Sequence, residues 1–334
     1  MPIDHLSNAE AKMPYDDLPK EQLAAYLPEL ASPPDLGQFW STTLAESRAL
    51  ARPPLFSKVG TRLVLVDAFD VTFSGFAGHP VRGWLHLPAN LDHPVPAVVR
   101  FQGYGGGRGS ALEVSAWALA GYASFVMDTR GQGSSWSSGD TPDPVGSAPA
   151  HPGFMTRGIL DPEEYYYRRL YTDAVLAVDA VAAHPLVEPG HVAVTGASQG
   201  GGLALSVAAL APQVWAALAD VPFLCDFARA TQIADTDPYT EIVRYLRAHR
   251  DHTSTVFSTL AYFDAARLVR QATAPALFSV ALMDKICPPS TVYAAYNNYA
   301  GPKRIVEYPF NDHEGGMAFH LAVQLDWLGS LERP

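Results

Sequence analysis

Hydrophobic positions along this chain change period twice. Between Lys20 and Leu50 they recur at helical spacing in "KEQLAAYLPEL" and "LGQFWSTTLAESRAL", separated by "ASPPD", so two N-terminal helices are predicted. From Thr61 to Asn90, "TRLVLVDAFDVTFSGFAGHPVRGWLHLPAN" alternates with period two on either side of Gly75 to Pro80, the pattern of antiparallel strands at one edge of a sheet. Beyond Asn90 the apolar positions gather into short continuous runs: "PAVVRF", "YASFVMD", "HVAVTG", "WAALADV", "PALFSVAL" and "RIVEYP", with helical stretches between them. Strands covered by helices on both faces read this way, because neither face meets water. The predicted fold is therefore α/β, a mostly parallel, doubly wound sheet.

Pro222 to Ala274 separate the fourth and fifth of these runs by far more than one crossover needs. A helical insertion over the carboxyl ends of the strands is predicted there, where sheets of this kind bind ligands. Residues 1–20 read as a loose polar arm, and the whole of 1–334 as one domain without internal repeats.

Composition narrows the function. With 334 residues, 48% hydrophobic and 17% charged, the chain can bury a large core. Its net charge of -11 repels phosphate backbones, which excludes nucleic acid as a partner. The acidic N-terminal stretch lacks the apolar centre of a secretory signal, and no apolar run approaches the roughly 20 residues that span a bilayer. A soluble, cytoplasmic protein with no membrane partner is expected. Cys225 and Cys287 are too few for a disulfide framework or a zinc set and are expected to be buried thiols.

The chemistry centres on "GASQG", Gly196 to Gly200, which fits G-x-S-x-G between the predicted strand "HVAV" and the predicted helix "GGLALSVAALA". In that setting the serine sits on a strained turn and the flanking glycines relieve crowding. A serine hydroxyl needs a base to take its proton and a third group to orient the base. On this architecture the order is serine, acid, histidine, each just past a later strand. Ser198, Asp284 after "PALFSVALM" and His313 after "RIVEYPFND" fill that order. Asp220, Asp226 and Asp312 compete for the acid role. Asp220 lies inside a predicted strand, Asp226 three residues past Phe223, and Asp312 beside His313 where adjacent side chains diverge, so Asp284 is favoured. No second histidine follows "HEGG" at H-E-x-x-H spacing, which disfavours metal catalysis.

The tetrahedral intermediate needs N–H donors, each worth about 3 to 4 kcal/mol at such sites. One is expected from the amide of Gln199, the residue after the serine. The other is expected from "QGYGGGRG", where Tyr104 sits among glycines that allow close backbone approach. That loop matches neither a phosphate-binding G-x-x-x-x-G-K-[ST] nor a full dinucleotide fingerprint, and acyl transfer by these groups needs no cofactor. Arg130 and Gln132 of "RGQG" lie just after "SFVMD" and read as structural scaffolding of a turn. "YYYRR", Tyr165 to Arg169, reads as helix packing with a structural ion pair.

With these motifs the chain resembles carbohydrate esterase family seven, the acetyl xylan esterases and cephalosporin C deacetylases. The resemblance runs from "KMPYDDLP" to the last helix and includes "RGQG", "GASQGGG", "HE" at His313 and Glu314, "PGFMTRGILDPEEYYYRR", "DVPFLCDF" and "LMDKICPPSTVYAAYNNYAGPK". Ala197 stands where glycine is frequent, and Gln102 where histidine or an aliphatic residue is common; neither touches a catalytic role. The resemblance implies an α/β-hydrolase fold with Ser198 as nucleophile, His313 as base, Asp284 as orienting acid and the amides of Tyr104 and Gln199 as the oxyanion hole. It also implies that Arg130 and Gln132 support the nucleophile loop through hydrogen bonds, an acyl pocket of Tyr104, Phe223, Pro238 and Ile286, and a doughnut-like homo-hexamer that admits short acetylated oligosaccharides and cephalosporins. Two other readings compete. A thioesterase or peptidase on the same fold is one, although the residues before "PAVVRF" leave no room for the propeller of the oligopeptidases. A catalytically silent scaffold is the other, although all three triad positions are filled.

Overall fold

The computed structural model describes residues 17–145 and 148–332, and among these the backbone forms a nine-stranded sheet. At one edge lie β1 (Leu55–Val59), β2 (Val66–Ser74) and β3 (Pro80–Pro88), each antiparallel to the next. The six apolar runs follow as β4 (Val95–Phe101), β5 (Ala123–Met127), β6 (Val187–Ala197), β7 (Ala216–Asp220), β8 (Ala276–Ala281) and β9 (Lys303–Tyr308). Their order is β1-β2-β3-β5-β4-β6-β7-β8-β9, with every pair from β5 to β9 parallel and β3 antiparallel to β5. The alternating stretch thus occupies the sheet edge and the continuous runs its parallel body, as the periods predict. The sequence pattern does not reveal β1, because "LFSKV" lies on the exposed rim and carries no buried apolar face.

Two helices precede the sheet, α1 (Lys20–Ala24) and α2 (Leu36–Ala49). The first is shorter than its spacing suggests, since Pro28 disfavours helix at Leu27. The end of the predicted arm is docked rather than loose: Asp17 pairs with Arg229 at 2.9 Å and accepts the amide of Ser290 at 2.6 Å. The rest of that arm, residues 1–16, lies outside the described residues.

The remaining helices are α3 (Ala116–Leu119), α4 (Tyr166–Ala182), α5 (Gln199–Leu210), α6 (Phe227–Ile233), α7 (Tyr239–Ala248), α8 (Thr253–Leu260), α9 (Ala265–Leu268), α10 (Pro289–Asn298) and α11 (Met317–Ser330). Four of them, α6 to α9, fall in the long stretch between β7 and β8. Helices α4 and α5 are buried nearly all round, as helices laid between a sheet and further layers must be. They join α2 and α9 in one large core with Val99, Phe101, Val194 and Phe278 from the sheet. The opposite face holds a smaller core, in which α3 and α11 meet Val98, Ala193, Leu218 and Leu277. Among the described residues no helix is long and apolar enough to cross a membrane.

Strand β4 has β5 on one side and β6 on the other, so successive crossovers leave it in opposite directions. The gap this opens beyond the carboxyl ends of β4 and β6 is the topological switch point, where open α/β sheets take their ligands. "QGYGGG" follows β4 there, and Ser198 follows β6.

Candidate active site

Ser198 joins β6 to α5 with φ 57° and ψ -122°, a backbone conformation that costs a non-glycine residue free energy. The surroundings impose it. The Ser198 amide donates to the Asp220 carbonyl at 2.9 Å, and its carbonyl accepts the amides of Gly202 at 3.0 Å and Phe223 at 2.9 Å. A Cβ on Gly196 would stand 2.4 Å from the Gly200 carbonyl carbon, and one on Gly200 would stand 2.3 Å from the Phe101 carbonyl oxygen. Glycine at these two positions lets α5 start hard against β4 and β6, which leaves the half-buried Ser198 at the crest of the turn.

Asp284 and His313 lie beyond β8 and β9. Asp284 Oδ1 accepts the amides of Ile286 and Cys287, both at 2.8 Å, while Oδ2 meets His313 Nδ1 at 2.8 Å. Donation from Nδ1 to a carboxylate fixes the imidazole tautomer and leaves Nε2 as the acceptor. The competing carboxylates are engaged elsewhere. Asp220 accepts twice from Gln324 Nε2 and pairs with His320, Asp226 accepts the Tyr26 hydroxyl and the Arg229 amide, and Asp312 accepts the His313 amide.

Both cysteines are buried, as expected, but Cys287 is also part of this site. Its sulfur and the ligand atoms of Asp284 and His313 lie within 4.8 Å of one another. Burial, then the Asp284 charge, pushes the Cys287 thiol well up, although a hydrogen bond with Ser198 opposes this. Asp284 and His313 are hydrogen-bonded to each other, and the Cys287 amide donates to Asp284, so the three residues form one cluster. Nothing in the spacing of Cys287 from Ser198 signalled that contact.

Ser198 and His313 open onto one cavity of about 820 Å³, which Tyr104, Pro238 and Ile286 also line. Phe223 is wholly buried, edge-on to Tyr104 at 6.4 Å and to Tyr239 at 4.3 Å. Tyr104 is pinned at both ends. Its carbonyl accepts from Trp136 Nε1 at 2.9 Å, and its hydroxyl donates to Glu241 Oε1 at 2.7 Å and accepts the Phe154 amide at 2.6 Å. Burial raises both the Tyr104 phenol and the Glu241 carboxyl above their ordinary ranges.

The two loops that carry the Tyr104 and Gln199 amides are tied together by Gln132. Its Oε1 accepts the Gly105 amide at 2.7 Å, and its Nε2 donates to Gln199 Oε1 at 3.0 Å, an oxygen that Tyr167 also reaches at 3.0 Å. Gln132 Nε2 also donates to the Tyr166 hydroxyl at 3.0 Å, which donates to the Arg130 carbonyl at 2.7 Å. The Arg130 guanidinium turns to α4, where Asp173 accepts at 2.5 and 2.6 Å, because a wholly buried cation requires an anion. In "YYYRR" the tyrosines pack in the core, and Arg169 forms the expected ion pair, with Asp143 at 2.7 Å.

The acetyl xylan esterase (AXE1) family profile matches residues 13–331. The chain belongs to this family. Acetyl xylan esterase from Paenibacillus sp. R4 superposes with a TM-score of 0.89 at 37% identity, covering 94% of this chain and 100% of that one. Acetyl Xylan Esterase 1 from Thermoanaerobacterium sp. JW/SL YS485 does so with a TM-score of 0.86 at 31% identity and the same coverage, 94% and 100%. Acetyl esterase Axe7A of Xylanibacter ruminicola is 27% identical over 291 residues, which are 86% of this chain and 64% of that longer relative. Among acetyl xylan esterases the sheet described above is an α/β-hydrolase sheet, and the family is one of carboxylic ester hydrolases.

Proposed function

We propose that the protein is a serine esterase that removes acetyl groups from short acetylated xylo-oligosaccharides and related small esters, cephalosporin C among them. One observation carries the reading: the Asp284–His313 hydrogen bond of 2.8 Å opens onto the same cavity as a serine on a strained strand-to-helix turn. His313 Nε2 takes the Ser198 proton while Oγ attacks the acetyl carbon. The amides of Tyr104 and Gln199 donate to the oxyanion, the C–O bond to the sugar breaks, and the departing alcohol takes the proton from the imidazolium. Water, deprotonated by the same nitrogen, then releases acetate and restores Ser198. Tyr104, Pro238 and Ile286, backed by Phe223, form the short apolar wall around the methyl group. No cofactor enters this scheme. By resemblance to its family, we read the protein as a cytoplasmic homo-hexamer that takes small soluble substrates.

Replacing Ser198 by Ala is expected to lower p-nitrophenyl acetate hydrolysis by about 10⁴-fold or more while leaving the circular dichroism spectrum unchanged. Full activity in that variant would overturn the mechanism. A preference for octanoyl esters or a peptide anilide over acetyl esters would overturn the deacetylase reading.

A further inference from the structure

The cavity around Ser198 continues past the acyl wall toward α11. Polar side chains line it at the carboxyl ends of four parallel strands: Arg100 of β4 and Thr195 of β6, which are in register, and Asp220 of β7 and Ser279 of β8, in register with each other one step further along the sheet. Two residues earlier on each strand, the same face is apolar, with Val98, Ala193, Leu218 and Leu277 in the smaller core. Asp220 is engaged by Gln324, whose Nε2 donates to both its oxygens at 2.8 and 3.0 Å. Arg100 has no such partner. Its Nε is buried without a hydrogen bond, and among the described residues no carboxylate forms an ion pair with its guanidinium. The carboxylate whose field reaches it most, Glu113, is exposed and accepts the Ser110 amide.

A guanidinium is always charged, and burying it unpaired costs folding free energy. Within a cavity that cost is offset when a ligand supplies the missing anion, and the planar fork of Arg fits a carboxylate with two parallel hydrogen bonds. We propose that Arg100 is a carboxylate receptor that directs this enzyme toward acetyl esters whose alcohol half carries a carboxylate. The inference rests on the esterase reading for the role of the site and adds a substrate class to it. Two sources share that chemistry: a xylo-oligosaccharide bearing a uronic acid, and the cephalosporin nucleus with its ring carboxylate. A cavity of about 820 Å³ is large enough for either.

The test measures kcat/KM for an acetylated, uronate-bearing xylo-oligosaccharide and for cephalosporin C, each against its own carboxyl methyl ester. The wild-type protein is expected to favour the free acid by about tenfold or more, Arg100→Gln to bring that ratio to about one, and Arg100→Lys to keep part of it. A ratio that collapses for one source only supports the receptor and names the source. An equal ratio in wild type and Arg100→Gln overturns the proposal. Calorimetry with 4-acetamidobenzoate and its methyl ester on the Ser198→Ala protein, with and without Arg100→Gln, reads the receptor without hydrolysis. Failure to hydrolyse any ester would therefore sink the esterase reading, while the calorimetry still decides Arg100: equal binding of acid and ester refutes it.

Discussion

On the face of the sheet covered by α2, α4, α5 and α9, the buried arginines come with their anions; on the face covered by α3 and α11, the half-buried Arg100 stands without. Arg130 and Arg169 interlock with Asp173 and Asp143 on the first face, and all four side chains are at most 3% exposed. Long helices, α4 and α5 among them, seal that surface, so a cation there must bring its counter-charge with it. The second face is covered differently. Helix α3 has four residues, and α11 buries only the stripe His320, Gln324 and Leu328. The ends of its strands are left to a cavity, so Arg100 can stand unpaired where a ligand enters. Sealing dictates pairing, and the unsealed end becomes the place for recognition.

Two substitutions of one kind test that contrast. Arg130→Met strands the Asp173 carboxylate, which retains only the Phe76 amide at 2.8 Å, and is expected to cost about 3–5 kcal/mol in urea unfolding. Arg100→Met deserts no anion, so its stability should lie within about 0.5 kcal/mol of wild type or above it. Equal losses in the two variants would mean that Arg100 is paired in solution and that the faces do not differ.

Asp264 is the carboxylate on the sealed face that most nearly breaks the rule. It accepts the amides of Asp226 at 2.8 Å and Ala266 at 3.0 Å, with Arg267 Nε at 3.5 Å, yet burial pushes its pKa up from 3.8 to about 6. The folded protein then holds this proton more tightly than the unfolded chain does. Its contribution to stability is complete below pH 3.8 and is lost as the pH rises through about 6. A rise of about two in pKa corresponds to about 3 kcal/mol. The stability difference between wild type and Asp264→Asn should therefore shift against the wild type by most of that amount, about 2 kcal/mol, between pH 4 and pH 7. A difference flat in pH would mean that Arg267 pairs with Asp264 fully.

What the amino-acid order conveyed, and what it withheld, divides along the same physical line. The parallel strands were legible because residues buried on both faces leave no alternation, and the turn at Ser198 because only glycine fits at Gly196 and Gly200. Asp284 and His313 were legible because each must sit at a strand end. Long-range polar partners were not. Nothing local ties Gln132 to Gln199, Glu241 to Tyr104, or Arg130 to Asp173, since these pairs are joined by packing across 43 to 137 residues. Arg100 was hidden for a related reason, because one cation at the end of "PAVVRF" reads as the close of an apolar run until neighbouring strands show which face it shares.

The smallest effect concerns the boundary between the two regimes, where Glu241 is buried beside the cavity with neutral donors in place of a cation. Its oxygens take the Tyr104 hydroxyl at 2.7 Å and the Met155 amide at 3.1 Å, and burial already raises its pKa. Tyr104→Phe removes the first donor and also orphans the Phe154 amide, at an expected cost of about 1–3 kcal/mol in stability. The Tyr104 amide remains but its loop loses an anchor, so kcat for p-nitrophenyl acetate should fall by about tenfold or less, with KM changed little. Glu241→Gln keeps an acceptor for the hydroxyl and loses one for the Met155 amide, and should lower kcat less than Tyr104→Phe does. If instead both variants raise KM and spare kcat, the hydroxyl–carboxylate pair shapes the acyl wall rather than steadying the amide. The buried acid would then belong to recognition, as Arg100 does.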